Sequence, residues 1–125
     1  MTTPPPDSLE RLRLRLADFA AARDWDPFHT PKNLAMALAG EAGELLEHFQ
    51  WLTPEQSRSL PPEKLAAVAH ELADILIYLV RLADKLEVDL LVSAREKIAL
   101  NEARYPAERV RGDARRAEEY REEER

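Results

Sequence analysis

The chain has 125 residues, a formal net charge of −6, 45% hydrophobic and 34% charged residues, and no cysteine. That size and balance predict one soluble globular domain with a small core. Disulfide frameworks, thiolate metal sites and cysteine nucleophiles are excluded, and the acidic surplus argues against nucleic acid as a partner, because phosphate backbones select basic surfaces. The most apolar stretch, Leu72 to Ala83, is interrupted by Asp74 and Arg81 and is too short to span a bilayer, so no membrane partner is expected. Met1 to Pro6 lack the layout of a signal peptide, and the cytoplasm is the expected compartment.

Prolines divide the chain into four predicted helices. The first starts near Asp7, with Glu10 completing a capping box, and carries Leu9, Leu12, Leu16 and Phe19 as an apolar stripe. It ends before Arg23 to His29, a loop containing Trp25, Pro27 and Phe28. The second helix has Thr30 as its cap and Pro31 in its first position, and its stripe runs through Leu34, Leu38, Glu41, Leu45, His48 or Phe49, and Leu52. A connection from Thr53 to Pro62 leads to the third helix, which starts at Pro62 or Glu63. There Leu65, Val68, Leu72, Ile75, Leu79, Leu82 and Leu86 recur every three or four residues as a heptad seam. Ile77, Tyr78 and Val80 make its other faces apolar, which predicts burial on several sides. The fourth helix runs from near Asp89 toward Tyr105 and stops at Pro106. Residues 107–125, dense in Arg and Glu, read as a charged extension, solvated or disordered, after a single all-α catalytic domain of residues 1–106.

Four acids stand out. Glu41 and Glu44 are one turn apart on the second helix, and Glu71 and Asp74 are one turn apart on the third, so each pair shares a helix face. A short connection makes the two helices antiparallel neighbours. Glu41 and Asp74 are equidistant from the middle of that connection, as are Glu44 and Glu71, so the pairs are predicted to face each other at the same height. Carboxylates that close take up protons or require a cation. Glu41 also lies in line with Leu34, Leu38 and Leu45, where an unpaired charge is costly. An all-oxygen site suits a hard cation such as Mg2+, which takes substrate phosphates as further ligands. Such motifs also occur as ordinary surface acids in a chain with 24 Asp and Glu; the matched register distinguishes these four. A di-iron carboxylate bundle needs Glu-x-x-His on two helices, and neither His48 nor His70 has that spacing.

At Glu41-Ala-Gly-Glu44 and Glu71-Leu-Ala-Asp74 the chain resembles the MazG-like, all-α nucleoside triphosphate pyrophosphatases, and within them the dCTP pyrophosphatase-like subgroup. The likeness extends over Arg23 to Leu34, Glu41 to Leu52, Glu71 to Leu79 and Lys97 to Pro106. It implies a four-helix bundle-like subunit associating as a homodimer or as a homotetramer built as a dimer of dimers. The implied reaction is hydrolysis of a nucleoside triphosphate between its α- and β-phosphates by an activated water. It implies Mg2+ held by Glu41, Glu44, Glu71 and Asp74, which are also the implied catalytic residues. Trp25, Phe28, His29, Trp51 and Tyr78 would surround the nucleoside, and Lys97 and Asn101 would meet phosphates or sugar. One departure concerns base choice: a nucleotide-contacting histidine of the animal subgroup is matched here by Leu16, which cannot donate that hydrogen bond.

From the residues alone, Trp25, Phe28 and Trp51 read equally as core packing or as a stacking wall for a base. Tyr78 lies one turn from Asp74 on the same face, which favours it as a site residue. His29 reads by itself as a satisfied loop residue and Lys97 as a solvated one, while Asn101 lies near the line of Leu91, Ala94 and Ile98 and calls for a partner. The heptad seam leaves open a non-catalytic helical interaction module, and a dUTPase-like all-α pyrophosphatase would cut the same bond while selecting uracil.

Overall fold

The computed structural model describes residues 2–119, and within them every regular element is helical. The last part of the predicted extension, residues 120–125, lies outside the described residues. The chain divides into two compact units, Met1–Val88 and Asp89–Arg125.

The first unit contains α1 (Leu9–Ala22), a 3-10 turn (Asp26–Phe28), α2 (Pro31–Phe49), a one-turn α3 (Pro54–Ser57) and α4 (Pro62–Lys85). Polar caps set most of the starts. Ser8, one residue after the predicted Asp7, caps α1 by accepting from Arg11 N at 3.1 Å. A serine hydroxyl there also donates to Pro5 O at 2.8 Å, which fixes the chain entering the helix. Thr30 caps α2 by accepting from Asn33 N at 3.2 Å, with Pro31 behind it as predicted. The connection between α2 and α4 is more ordered than a plain loop. Thr53 and Gln56 form a reciprocal capping box, with Gln56 N to Thr53 Oγ1 at 3.2 Å and Thr53 N to Gln56 Oε1 at 2.9 Å.

Helix α4 is the spine, packed against α2 and α1. Ala20, Leu34, Val68, Val80 and Ala83 are the buried apolar residues of this unit. The seam expected to be buried is divided. Val68 is buried and Ile75 and Leu82 are half-buried, but Leu65 (57%) and Leu72 (52%) are open, as are Leu76, Leu79 and Leu86. Two neighbouring helices cover two sides of α4, and the leucine stripe lies on a third.

The second unit holds α5 (Leu90–Arg104), capped by Asp89 through Val92 N at 3.0 Å, and the one-turn α6 (Ala107–Val110) after Pro106. Its later residues fold back locally: Ala117 N donates to Tyr105 Oη at 3.1 Å, and Ala117 is buried.

Helices α1 and α4 both end in Schellman turns. Trp25 N reaches Ala20 O at 3.0 Å across Asp24 at φ 53°, and Val88 N reaches Ala83 O at 2.8 Å across Glu87 at φ 55°. A side chain in that left-handed region is strained where glycine is not. Asp24→Gly and Glu87→Gly are each expected to stabilise the fold by about 0.5 kcal/mol in chemical denaturation, the strain relieved less the entropy glycine adds to the unfolded chain.

Candidate active site

Two contacts at different heights fix the direction and register of α2 against α4. Before α2, His29 Nδ1 accepts from Arg81 Nε at 3.2 Å. Further along α2, ligand oxygens of Glu41, Glu44 and Glu71 all lie within 4.8 Å of one another. Moving forward from His29 to Glu41 therefore means moving back from Arg81 to Glu71, so the helices are antiparallel. Glu41 and Glu71 are half-buried and Glu44 is more exposed. Asp74 is half-buried one turn from Glu71 and lies outside the close group of three, though its charge acts on Glu41.

The electrostatics of the group favour a positive charge beside it. Oε2 of Glu41 and Oε2 of Glu71 are buried without a hydrogen-bond partner. Proton sharing with Glu71 is the largest influence on the Glu41 carboxyl, followed by burial and then by Glu44 and Asp74; together they push it up to about 7. With a proton on Glu41 the carboxyl groups bond each other, and without it both inner oxygens are orphaned, a costly arrangement. Three carboxylates offering only oxygen fit a hard divalent cation better than a soft one.

The aromatic segment sits at the other end of the α2–α4 pair. The Schellman turn of α1 delivers Trp25, whose ring packs edge-on against Phe19 at 5.6 Å and tilts on His29 at 6.2 Å. Trp25 is partly open and Phe28 is exposed, its carbonyl held by Asn33 Nδ2 at 3.0 Å. Trp51, just past α2, is 86% exposed, so it is not core. Tyr78 is half-buried on α4 between the acids and Arg81. Lys97 and Asn101 are one turn apart and exposed on α5, in the second unit, so the Asn101 side chain needs no buried partner.

Arg81 is the residue that sequence reasoning passed over. It is 3% exposed, and its guanidinium bonds Asp26 Oδ1 at 3.1 Å, His29 Nδ1 at 3.2 Å and Asp84 Oδ2 at 3.4 Å. Asp26 is shared with Lys85 at 2.8 Å, and Asp84 with Arg13 of α1 at 2.9 Å, while Arg13 also pairs with Glu10. Lys85 and then Arg81 hold the Asp26 carboxyl below its usual range, whereas burial, reinforced by Arg81, lowers the His29 imidazole. The available signal was the position of Arg81 inside the most apolar stretch of the chain, where a charge must be paired.

A model of the MazG-like family matches residues 37–119, a span that includes all four acids and leaves out the Trp25 to His29 segment. The chain is 46% identical over 114 residues to dCTP pyrophosphatase 1 of Homo sapiens, covering 90% of this chain and 67% of that protein. The chain thus spans about two thirds of the length of that relative. A crystal structure of a pyrophosphatase from Archaeoglobus fulgidus is 34% identical, with a TM-score of 0.76 covering 85% of this chain and 99% of that one.

The raised Glu41 carboxyl gives a pH signature without metal. A proton held more tightly in the folded state stabilises the fold fully below the ordinary carboxyl value of 4.5, and that contribution is lost as pH rises through about 7. Metal-free Glu41→Gln is therefore expected to melt above metal-free wild type at pH 8, with the gap narrowing at pH 5. Magnesium should raise the melting temperature of wild type more than that of the variant. Identical melting of the two metal-free proteins at both pH values would contradict the crowding of these carboxylates.

Proposed function

The chain belongs to the MazG-like family and is a nucleoside triphosphate pyrophosphatase, and we propose that it is a magnesium-dependent pyrophosphohydrolase of dCTP or of modified, non-canonical pyrimidine deoxynucleotides, releasing the monophosphate and diphosphate. The observation that carries this reading is the convergence of Glu41, Glu44 and Glu71 with two orphaned inner oxygens. A repulsive half-buried cluster is a poor way to stabilise a helix pair and a good way to hold a divalent cation on a triphosphate. The role of such an enzyme is sanitation of the nucleotide pool, and its proposed compartment is the cytoplasm.

Glu41, Glu44, Glu71 and Asp74 are the proposed ligands. The cation would neutralise phosphate oxygens and lower the pKa of an attacking water. One of the four carboxylates would take the proton of that water in place of holding the cation, with Glu41 and Glu44 the first candidates. Lys97 and Asn101 are the proposed contacts to phosphate or sugar, with the Lys97 ammonium offsetting charge on the departing diphosphate. Trp25, Phe28, His29, Trp51 and Tyr78 are the proposed nucleoside contacts. Trp51 lies at the opposite end of the 19-residue α2 from Trp25 to His29, about 28 Å along the helix. The full set would therefore meet only in a site built between copies of the chain, and the open rings of Trp25, Phe28 and Trp51 support stacking there. Leu16 on α1 offers no hydrogen bond, so base choice falls to these other groups. Residues 1–106 are the proposed catalytic domain and 107–125 its charged extension.

The open stripe of Leu65, Leu72, Leu76, Leu79 and Leu86 supports association of copies as a homodimer or homotetramer, because an apolar stripe of that length is costly in water. Leu72→Glu combined with Leu79→Lys is expected to lower the mass in sedimentation; an unchanged mass would remove α4 from the interface.

Incubation of the pure protein with Mg2+ and a panel of nucleotides is expected to release pyrophosphate from dCTP or modified cytosine deoxynucleotides faster than from dUTP. Faster release from dUTP would favour the dUTPase-like reading, and none from any nucleotide would overturn the catalytic assignment. Glu71→Gln is expected to reduce kcat on the order of a hundredfold or more.

A further inference from the structure

Arg81 is nearly inaccessible to solvent, yet nothing in the proposed chemistry uses it. It lies seven residues beyond Asp74, two turns along the same stripe of α4, with Tyr78 between them. That spacing puts it about 10 Å along the helix from Asp74. Its donors hold a segment from outside the helix: Nη2 bonds Asp26 Oδ1 at 3.1 Å, and Nε bonds His29 Nδ1 at 3.2 Å. Trp25 precedes these two anchors and rests on the His29 ring. An arginine cannot give up its proton, so the nitrogen facing it must be an acceptor. His29 is then neutral with its proton on Nε2.

We propose that Arg81 is a positioning residue for substrate binding, holding the Trp25 to His29 segment two turns of α4 from Asp74 and about 15 Å along the helix from Glu71, with the His29 ring fixed as a donor through Nε2. This rests on the reading of that segment as part of the nucleoside surface. The arginine contributes no group to the phosphates; it sets where the aromatic segment stands relative to Asp74, the nearest of the four acids along α4. Lysine would not serve equally, because one ammonium cannot meet Asp26 and His29 in the same plane as the guanidinium fork does.

The test combines kinetics with a spectroscopic readout of His29. Arg81→Met is expected to raise KM for dCTP about tenfold with kcat within twofold, the signature of lost uniform binding. Arg81→Lys should fall between wild type and Arg81→Met. Asp26→Asn, a substitution at an exposed side chain that leaves the helices intact, should also raise KM if Arg81→Met does not fold. In 15N-histidine spectra, wild-type His29 should show an unprotonated Nδ1 and a protonated Nε2, and Arg81→Met should lose this fixed tautomer. The inference is overturned if KM is unchanged in both Arg81→Met and Asp26→Asn, if kcat falls while KM stays constant, or if wild-type His29 carries its proton on Nδ1. A wild-type protein inactive on every nucleotide overturns the substrate reading and this inference with it; an intact Nε2 tautomer in that protein would locate the failure in the substrate reading and not in the clamp.

Discussion

The register between α2 and α4 governs the rest of the molecule. At one end, Arg81 ties α4 to Asp26 and His29, just before α2 begins. At the other, the Thr53–Gln56 capping box stiffens the short connection. Between these two ends Glu41 and Glu44 are brought against Glu71. A slip of one residue on either helix would rotate a carboxylate away by about 100° and dissolve the cluster. Like charges alone would push the helices apart, so the attraction that keeps them in register must come from elsewhere: from buried Leu34, Val68, Val80 and Ala83, and from the paired charges around Arg81. The fold thus sets its repulsive acids between adhesive stretches, Arg81, Leu34, Val80 and Ala83 on one side and Val68 on the other. Local conflict of this kind is what a functional site looks like in an otherwise consistent structure.

Much of this was legible from residue spacing. The i, i+3 acid pairs, the threonine and proline at the start of α2, and the short connection were enough to place Glu41 and Glu44 opposite Glu71, because helical period and hairpin topology are set locally. Other features were not. Whether a heptad seam is covered depends on how many neighbours surround its helix, and spacing along one helix carries no such count; hence Leu65 and Leu72 proved open. The one-turn α3 was hidden inside a segment read as a connection, although Thr53, Pro54 and Gln56 carried its cap. Arg81 was the largest omission. Its partners Asp26, His29 and Asp84 lie on three different segments, and only folding brings them together.

The site also shows how kinship and chemistry divide the question of function. The family match covers the acids and leaves out the aromatic segment. The acids thus lie within both the family model and the stretch shared with dCTP pyrophosphatase 1 of Homo sapiens. In the proposed reading base selection falls to Leu16, Trp25, Phe28 and His29, which the family model leaves out but which lie in that same shared stretch. When one reaction serves several nucleotides, differences of a few polar contacts are enough to change which base is accepted.

The central claim is that the Glu41, Glu44 and Glu71 carboxylates form one cation site. Anomalous diffraction from crystals soaked in Mn2+, a stand-in for Mg2+ with a usable signal, tests it most directly. The account predicts a peak within coordination distance of the inner oxygens of both Glu41 and Glu71, absent in Glu71→Gln. Well-ordered carboxylates with no peak between them, or a peak at some other cluster alone, would contradict it.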